Sequence, residues 1–298
     1  MDLSSLTPLE GGWSGQTFLA ETAAERTVVR IYPPGRRDDA APEIDAAVLR
    51  LVHGLVPVPD VLEVRRAVGA ADQPGLLVTS LLPGTRGDLV LPGLDDDGAA
   101  VLGREVGELV ADLAGMPTLR AGPFVDADLT IGDFGPADGL PGFVADHAEA
   151  LRWDPELVAR LGTLAEDAQS LLDQVGRTCL VHSDVNPKNL LVDRDTLTIT
   201  GLLDWEFTHS GHPFTDLGNV LRFDRRPGYV EAVLDAWCRR RGGSSGKALE
   251  LARAADLWAL VDLAARAGDN PVADRAADLL RAIARTGDLH ARPSTDEP

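Results

Sequence analysis

Three oxygen-bearing side chains stand out by type and spacing: Asp184, Asn189 and Asp204. The first two lie in the polar loop His182-Ser183-Asp184-Val185-Asn186-Pro187-Lys188-Asn189, between the apolar runs Leu180-Val181 and Leu190-Leu191-Val192. The third closes the run Leu197 to Leu203 and opens Asp204-Trp205-Glu206, 15 residues after Asn189. A carboxylate beside an acceptor hydroxyl can take or orient its proton. An amide oxygen and a second carboxylate can hold Mg²⁺, a hard cation that keeps several waters and needs few protein ligands. Such a set suits transfer of a phosphoryl group held by Mg²⁺.

The elements that position these residues can be read from the same stretch. The runs on either side of Asp193-Arg194-Asp195-Thr196 form a hairpin, because two apolar segments flank a short polar turn. Asn189 opens one strand and Asp204 closes its partner, so both stand at the open end of the hairpin beside Asp184. Upstream, the first 80 residues read as strands and turns with one helix. Thr27 to Tyr32 is a β-branched run stopped by Pro33-Pro34-Gly35, and Pro42 to Val52 is a helix that Gly54 ends, with Asp38 or Asp39 as its cap. Val56 to Pro59 is extended, and Leu76 to Leu82 is a strand broken by Pro83-Gly84. Beyond it the chain turns helical: from Asp97 to about Leu113, between Leu140 and Val175, from Tyr229 to Arg241, and from Lys247 to about Arg285. Strand-rich first and helix-rich second, this is an α+β chain. Its expected units are 1–82 and 83–298, with a disordered tail from 288 to 298.

His182-x-Asp184-x-x-x-x-Asn189 has the spacing of the protein-kinase catalytic loop, and Asp204-Trp205-Glu206 stands where kinases have Asp-Phe-Gly. The wording around it resembles the aminoglycoside phosphotransferase family, also called the phosphotransferase enzyme family. Members typically read His-Gly-Asp-Leu-His-Pro-Gly-Asn, then a hairpin, then Asp-Trp or Asp-Phe, and often Gly-Asp-Pro and Asp-Leu. This chain continues with Gly211-His212-Pro213 and Asp216-Leu217. The resemblance implies a protein-kinase-like two-lobed fold, a small antiparallel-sheet lobe before a larger, mainly helical one. It implies Asp184 as catalytic base, Asn189 and Asp204 as magnesium ligands, and Asp216 as a structural support.

The resemblance also directs attention to the first lobe. Glu10 to Phe18 resembles a nucleotide-covering loop, in which Gly12 and Gly15 let backbone approach phosphate and Ser14 donates to it. The next strand should carry a basic residue. Arg30 is the only candidate there, since no lysine precedes Lys188; arginine can grip phosphate with two arms. The acid expected to pair with it lies in the helix from Pro42, where Glu43 and Asp45 are both available and the register does not choose between them. Leu77 to Gly84 resembles the hinge, where the carbonyl of Ser80 and the amide of Leu82 would face a nucleotide base.

Other residues have plainer readings. His182 orients the loop in the kinase pattern. His209 and His212 lack a third ligand nearby and do not make a metal site. Lys188 stands four residues after Asp184, whereas Ser/Thr kinases place a lysine two after, where this chain has Asn186. Trp153, Trp237 and Trp258 could stack on an acceptor, but tryptophans at helical spacing are more often core.

Composition bounds the partners. The formal net charge of −19 opposes nucleic acid and favours cationic ligands. Residues 1–82 carry 7 basic and 11 acidic side chains and the rest 21 and 36, so most of the negative field belongs to the second unit. No run approaches the roughly 20 apolar residues of a membrane helix. Met1 to Gly12 has no basic cluster and no apolar run, so no secretory leader is expected, and Cys179 and Cys238 do not make a disulfide framework; a cytoplasmic setting is expected. Taken together, the expectation is a kinase moving the γ-phosphoryl of ATP or GTP to a hydroxyl of a cationic small molecule, an aminoglycoside or amino alcohol. The alternatives are a kinase for a neutral sugar or macrolide, and a nucleotide-binding pseudokinase, which the missing lysine motivates. The chain shows no segment like the Ala-Pro-Glu element of protein kinases.

Overall fold

A computed structural model of the chain describes residues 5–9, 16–21, 26–67, 73–135 and 139–293. The first unit is an antiparallel sheet in the order β1-β2-β3-β5-β4, built from β1 (Ser5–Pro8), β2 (Gln16–Glu21), β3 (Arg26–Tyr32), β4 (Val61–Arg65) and β5 (Gly75–Ser80). Helix α1 (Ala41–Val52) follows β3 and buries Ile44, Val48, Leu49 and Val52, an i, i+4 stripe, against β4 and β5. Asp38 sits outside the helix and accepts the amide of Ala40 at 2.8 Å. The strand β4 was not expected. The extended residues Val56 to Pro59 lead into it but lie outside it.

Past Pro83-Gly84 the architecture changes. Gly84 has φ 127°, and a Cβ there would strike the Thr200 hydroxyl, so the chain passes Thr200 this closely only with glycine. Next come β6 (Thr85–Arg86), α2 (Gly87–Val90), α3 (Asp96–Ala114), β7 (Pro117–Thr118), β8 (Gly122–Pro123), α4 (Gly139–Leu151) and α5 (Pro155–Leu172). The remainder is β9 (Thr178–Val181), β10 (Leu190–Val192), β11 (Ile199–Leu202), β12 (His209–Gly211), α6 (Thr215–Leu221), α7 (Pro227–Arg241), α8 (Ser245–Ala264) and α9 (Pro271–Thr286). Asp95 caps α3 through the Gly98 amide, and Asp154 caps α5 through the Leu157 amide, both at 2.9 Å. The long helical reading after Lys247 is two helices, because Asn270 caps a new one and Pro271 enters its first turn.

Small sheets hold the loops. β10 pairs with β11 and with β6, and β9 lies between β7 and β12. The helical part packs around Leu102, Leu161, Leu217, Leu257 and Leu280, all sealed from solvent. After α9, Arg225 donates to the carbonyls of His290 and Ala291 at 3.0 and 2.7 Å. Residues 294–298 lie outside the described residues. Among the described residues no helix is long and apolar enough to cross a membrane.

Candidate active site

The loop after β9 is fixed from beneath. The buried carboxylate of Asp216, at the start of α6, accepts the amides of His182 at 2.9 Å and Ser183 at 2.7 Å. Burial pushes its pKa up to about 6 against those two hydrogen bonds. His182 is fully buried, with Nε2 3.0 Å from the Leu203 carbonyl and Nδ1 3.2 Å from the amide of Asp184. A carbonyl can only accept and an amide N–H can only donate, so the ring is the neutral Nε2–H tautomer. Burial lowers its pKa to about 4. Its edge meets the Trp205 ring, centroids 4.7 Å apart, and Trp205 Nε1 donates to the Leu202 carbonyl at 2.9 Å. The histidine therefore joins the loop to the Asp-Trp-Glu segment.

On that base Asp184 is held by two amides. Asn186 Nδ2 donates to Oδ1 and Asn189 Nδ2 to Oδ2, each at 2.8 Å. Asn186, standing where Ser/Thr kinases have lysine, thus orients the carboxylate, while the Lys188 amide caps on Asn186 Oδ1 at 2.9 Å. Burial raises the Asp184 pKa, with the field of Asp204 adding to it; the two amides and the distant Arg222 work the other way. Two residues of this segment, Ser183 at φ 70° and Asp204 at φ 64°, adopt the left-handed conformation without being glycine. Such backbone persists only where the surroundings dictate it, and it gathers at functional sites.

The hairpin closes as expected. β10 and β11 pair from Leu190↔Leu202, and the Leu203 amide donates to the Asn189 carbonyl at 2.8 Å, which ties Asn189 to the residue before Asp204. With its amide nitrogen committed to Asp184, Asn189 turns its oxygen away, and no described residue donates to that oxygen. One amide oxygen and the carboxylate of Asp204 form a sparse, hard-oxygen set, which fits Mg²⁺. Among the described residues no three His, Cys, Asp or Glu side chains stand together where they could hold a metal ion. His209 Nδ1 lies against the Phe207 carbonyl at 2.8 Å, and His212 Nδ1 accepts the Phe214 amide at 3.4 Å.

A family model described as the phosphotransferase enzyme family matches residues 5–252. The chain belongs to that family. It is a phosphotransferase. Among solved structures it is similar to a thermostable mutant of aminoglycoside phosphotransferase APH(4)-Ia in ternary complex with ADP and hygromycin B, at 18% identity and TM-score 0.68, covering 96% of this chain and 95% of that one. A GDP complex of a mutant aminoglycoside 2'-phosphotransferase-IIIa gives 17% identity and TM-score 0.68, covering 97% and 94%. A microcompartment-associated aminopropanol kinase gives 20% and 0.69, covering 98% and 96%. At these identities the likeness carries the fold: a protein-kinase-like, two-lobed α+β architecture. The search of curated proteins gave no match.

The first lobe meets the loop through Arg30. Nη1 lies 3.0 Å from Asp204 Oδ1 and Nη2 2.5 Å from Glu206 Oε2. Burial opposes its charge, but the fields of Tyr32, Asp204, Asp45 and Glu206 outweigh that and raise its pKa. The expected helix partner is not there. Asp45 is bound by both arms of Arg37, at 2.7 and 2.9 Å, and by the Tyr32 hydroxyl at 2.7 Å. Glu43 meets Arg66 at 3.4 Å on the surface. Both candidates fail as ion-pair partners of Arg30 because other cations reach them first. The acid that takes their place, Glu206, is visible in the sequence as the third residue of Asp-Trp-Glu, where kinases have glycine. Arg37 and Arg222 carry no comparable signal.

Ser80 ends β5 and is knotted to the preceding loop: its hydroxyl accepts the Asp60 amide at 2.8 Å and its amide donates to the Asp60 carbonyl at 2.9 Å. Leu82 lies beyond the strand, and its amide donates to no backbone carbonyl among the described residues. Gly12, Ser14 and Gly15 lie outside the described residues. Of the tryptophans, Trp237 is core and stacks on Phe214 at 4.6 Å. Trp258 packs on Phe143 and Trp153 under Arg281, at 4.8 and 5.4 Å.

Proposed function

We propose that this phosphotransferase moves the γ-phosphoryl of ATP or GTP to a hydroxyl of a small, cationic acceptor, an aminoglycoside or amino alcohol. The observation that carries the reading is the Asp184 carboxylate, fixed through both oxygens by Asn186 and Asn189 and shifted upward by burial. In the reaction the acceptor oxygen bonds to the γ-phosphorus as the bond to the bridging oxygen breaks. Asp184 takes the acceptor's proton and releases it to solvent. Asn189 and Asp204 would hold Mg²⁺, whose charge offsets that building on the phosphate oxygens. Arg30 contributes a second cation from the sheet, and Ser80 and Leu82 supply backbone to the base. The lobes divide near Pro83.

The acceptor assignment rests on charge. Asp184, Asp204, Glu206 and Asp216 crowd one loop cluster, and the part of the chain after residue 82 holds 36 of the 47 acids. Such a field draws amines and repels anions. Relatives of this fold named for hygromycin B, aminoglycosides and aminopropanol support an amine-bearing alcohol.

Thermal stability with ATP or GTP, with and without Mg²⁺, tests the donor: a ligand of the folded form raises Tm by mass action. An acceptor screen with amino alcohols and aminoglycosides follows, against neutral sugars and macrolides. Asp184→Asn should lower kcat by about 10²-fold or more with nucleotide binding retained. Turnover near wild type in that variant removes Asp184 from its role.

A further inference from the structure

Arg30 reaches out of β3 with a planar fork, and each arm meets a different acid of one short segment. Nη1 shares Asp204 and Nη2 meets Glu206, whose side chain is only 5% exposed. We infer that Glu206 is the positioning residue for Arg30, doing in this chain what an acid of α1 was expected to do. The inference rests on the proposed function for its purpose, but not for its geometry.

Two observations make the substitution coherent. Asp45, the helix acid nearest Arg30, is saturated by two arms of Arg37 and the Tyr32 hydroxyl. Turning it to Arg30 would break three hydrogen bonds and strand the Arg37 guanidinium, which also donates to the Glu206 backbone carbonyl at 3.3 Å. Arg37 therefore locks both ends of the arrangement: it withdraws Asp45 and braces the peptide that carries Glu206. Tyr32 completes the frame, its ring 5.4 Å from Arg30 Cζ and 5.7 Å from Arg37 Cζ.

The consequence is a particular division of labour. Glu206 fixes one edge of the Arg30 fork by a charge-assisted bond away from water. The other edge is shared with Asp204, and that is the edge a phosphate oxygen can compete for. Because Glu206 lies two residues after Asp204 on a segment anchored by Trp205 and His182, the sheet cation and the loop acid are set by one element.

Two measurements test this. Side-chain NMR of ¹⁵N-arginine protein without nucleotide, with the Arg30 guanidinium assigned through Arg30→Lys, reads positioning directly. Glu206→Gln and Glu206→Ala should broaden or lose the slowly exchanging Arg30 signal, and Asp45→Asn should keep it. Persistence of the signal in both Glu206 variants, or its loss in Asp45→Asn alone, overturns the inference. The second measurement is affinity for ATP or GTP with Mg²⁺. Glu206→Gln should weaken binding about tenfold, roughly 1.4 kcal/mol, and add no further loss in an Arg30→Met background. An equal loss in that background makes Glu206 act independently of Arg30 and also overturns it. If wild type binds neither nucleotide while the NMR result holds, the proposed function fails and the positioning stands.

Discussion

The ring of His182 accepts the amide of Asp184 at Nδ1, 3.2 Å away, while Nε2 is spent on Leu203. A protonated ring could not accept, so acid breaks the link that shapes the loop. The folded-state pKa of about 4 lies below the usual value near 6.5. The stability this gives is present above pH 6.5 and is lost as pH falls towards 4. Asp216 runs the opposite way. Its folded-state pKa of about 6 exceeds the ordinary 3.8, so its contribution is full below 3.8 and lost as pH rises through 6. Each displacement is worth about 3 kcal/mol, and the two nearly cancel between pH 4 and 6. Denaturant unfolding over that range should be nearly flat for this pair in wild type. His182→Gln should leave a protein that gains stability on acidification. An unchanged slope in that variant would remove His182 from the account.

Asp184 feels Arg222, which is buried and forks onto Asp256 at 2.7 to 3.0 Å. With its amide oriented to pair donors with acceptors, Asn219 links the pair to the Ser183 carbonyl at 3.0 Å and to Arg222 at 2.7 Å. Arg222→Met leaves the Asp256 charge buried alone and should cost about 3–5 kcal/mol. Arg222→Met with Asp256→Leu should recover much of that. In the double variant Asp184 has lost a cation that held its pKa down. Activity of a base falls as pH drops through its pKa, so the acid limb of the kcat profile should move to higher pH.

Ser183 occupies the left-handed region at φ 70°, and its hydroxyl forms no hydrogen bond among the described residues. The left-handed conformation costs a non-glycine residue about 1–2 kcal/mol. Glycine relieves that but gives the unfolded chain about 0.5–1 kcal/mol of extra entropy. Ser183→Gly should therefore stabilise the protein by roughly 0.5–1 kcal/mol, read from the urea midpoint, with the amide still donating to Asp216.

The loop and hairpin from Thr178 to Asp204 were legible because their signals are local: apolar runs of strand length, a polar turn, and acids at fixed spacing. The capping aspartate before α3 is likewise local, whereas the break at Asn270-Pro271, just as local, was passed over and the stretch after Lys247 read as one helix. What could not be read was competition between distant groups. Nothing near Asp45 in the chain says that Arg37 folds back onto it, eight residues away, before Arg30 can. Glu206 was in view in Asp-Trp-Glu, but its partner lies 176 residues upstream, and only the fold brings them together. β4 was missed because Val61 to Arg65 alternates weakly, with Leu62 and Glu63 both exposed.

The helices α3 and α7, packed closely against each other, offer a last test, because helix propensity and packing disagree there. α3 and α7 approach across Gly103 and Gly107, four residues apart and so on one face. A Cβ on Gly103 would lie 2.8 Å from the Tyr229 carbonyl oxygen. One on Gly107 would strike the Val233 carbonyl and sit 2.9 Å from the Ala236 methyl. Propensity alone favours alanine over glycine in a helix by about 1 kcal/mol. Here the obstacle at Gly107 is backbone and a short side chain, neither of which can swing aside, so the helices must separate. Overpacking of that kind costs about 1–3 kcal/mol or more and outweighs the propensity gain. Gly107→Ala should lower the urea midpoint. Gly162→Ala on α5, where nothing lies within 4 Å, should raise it. If both variants move the midpoint upward, the α3–α7 contact is looser than a backbone-to-backbone approach, and the stability of the helical lobe is carried elsewhere.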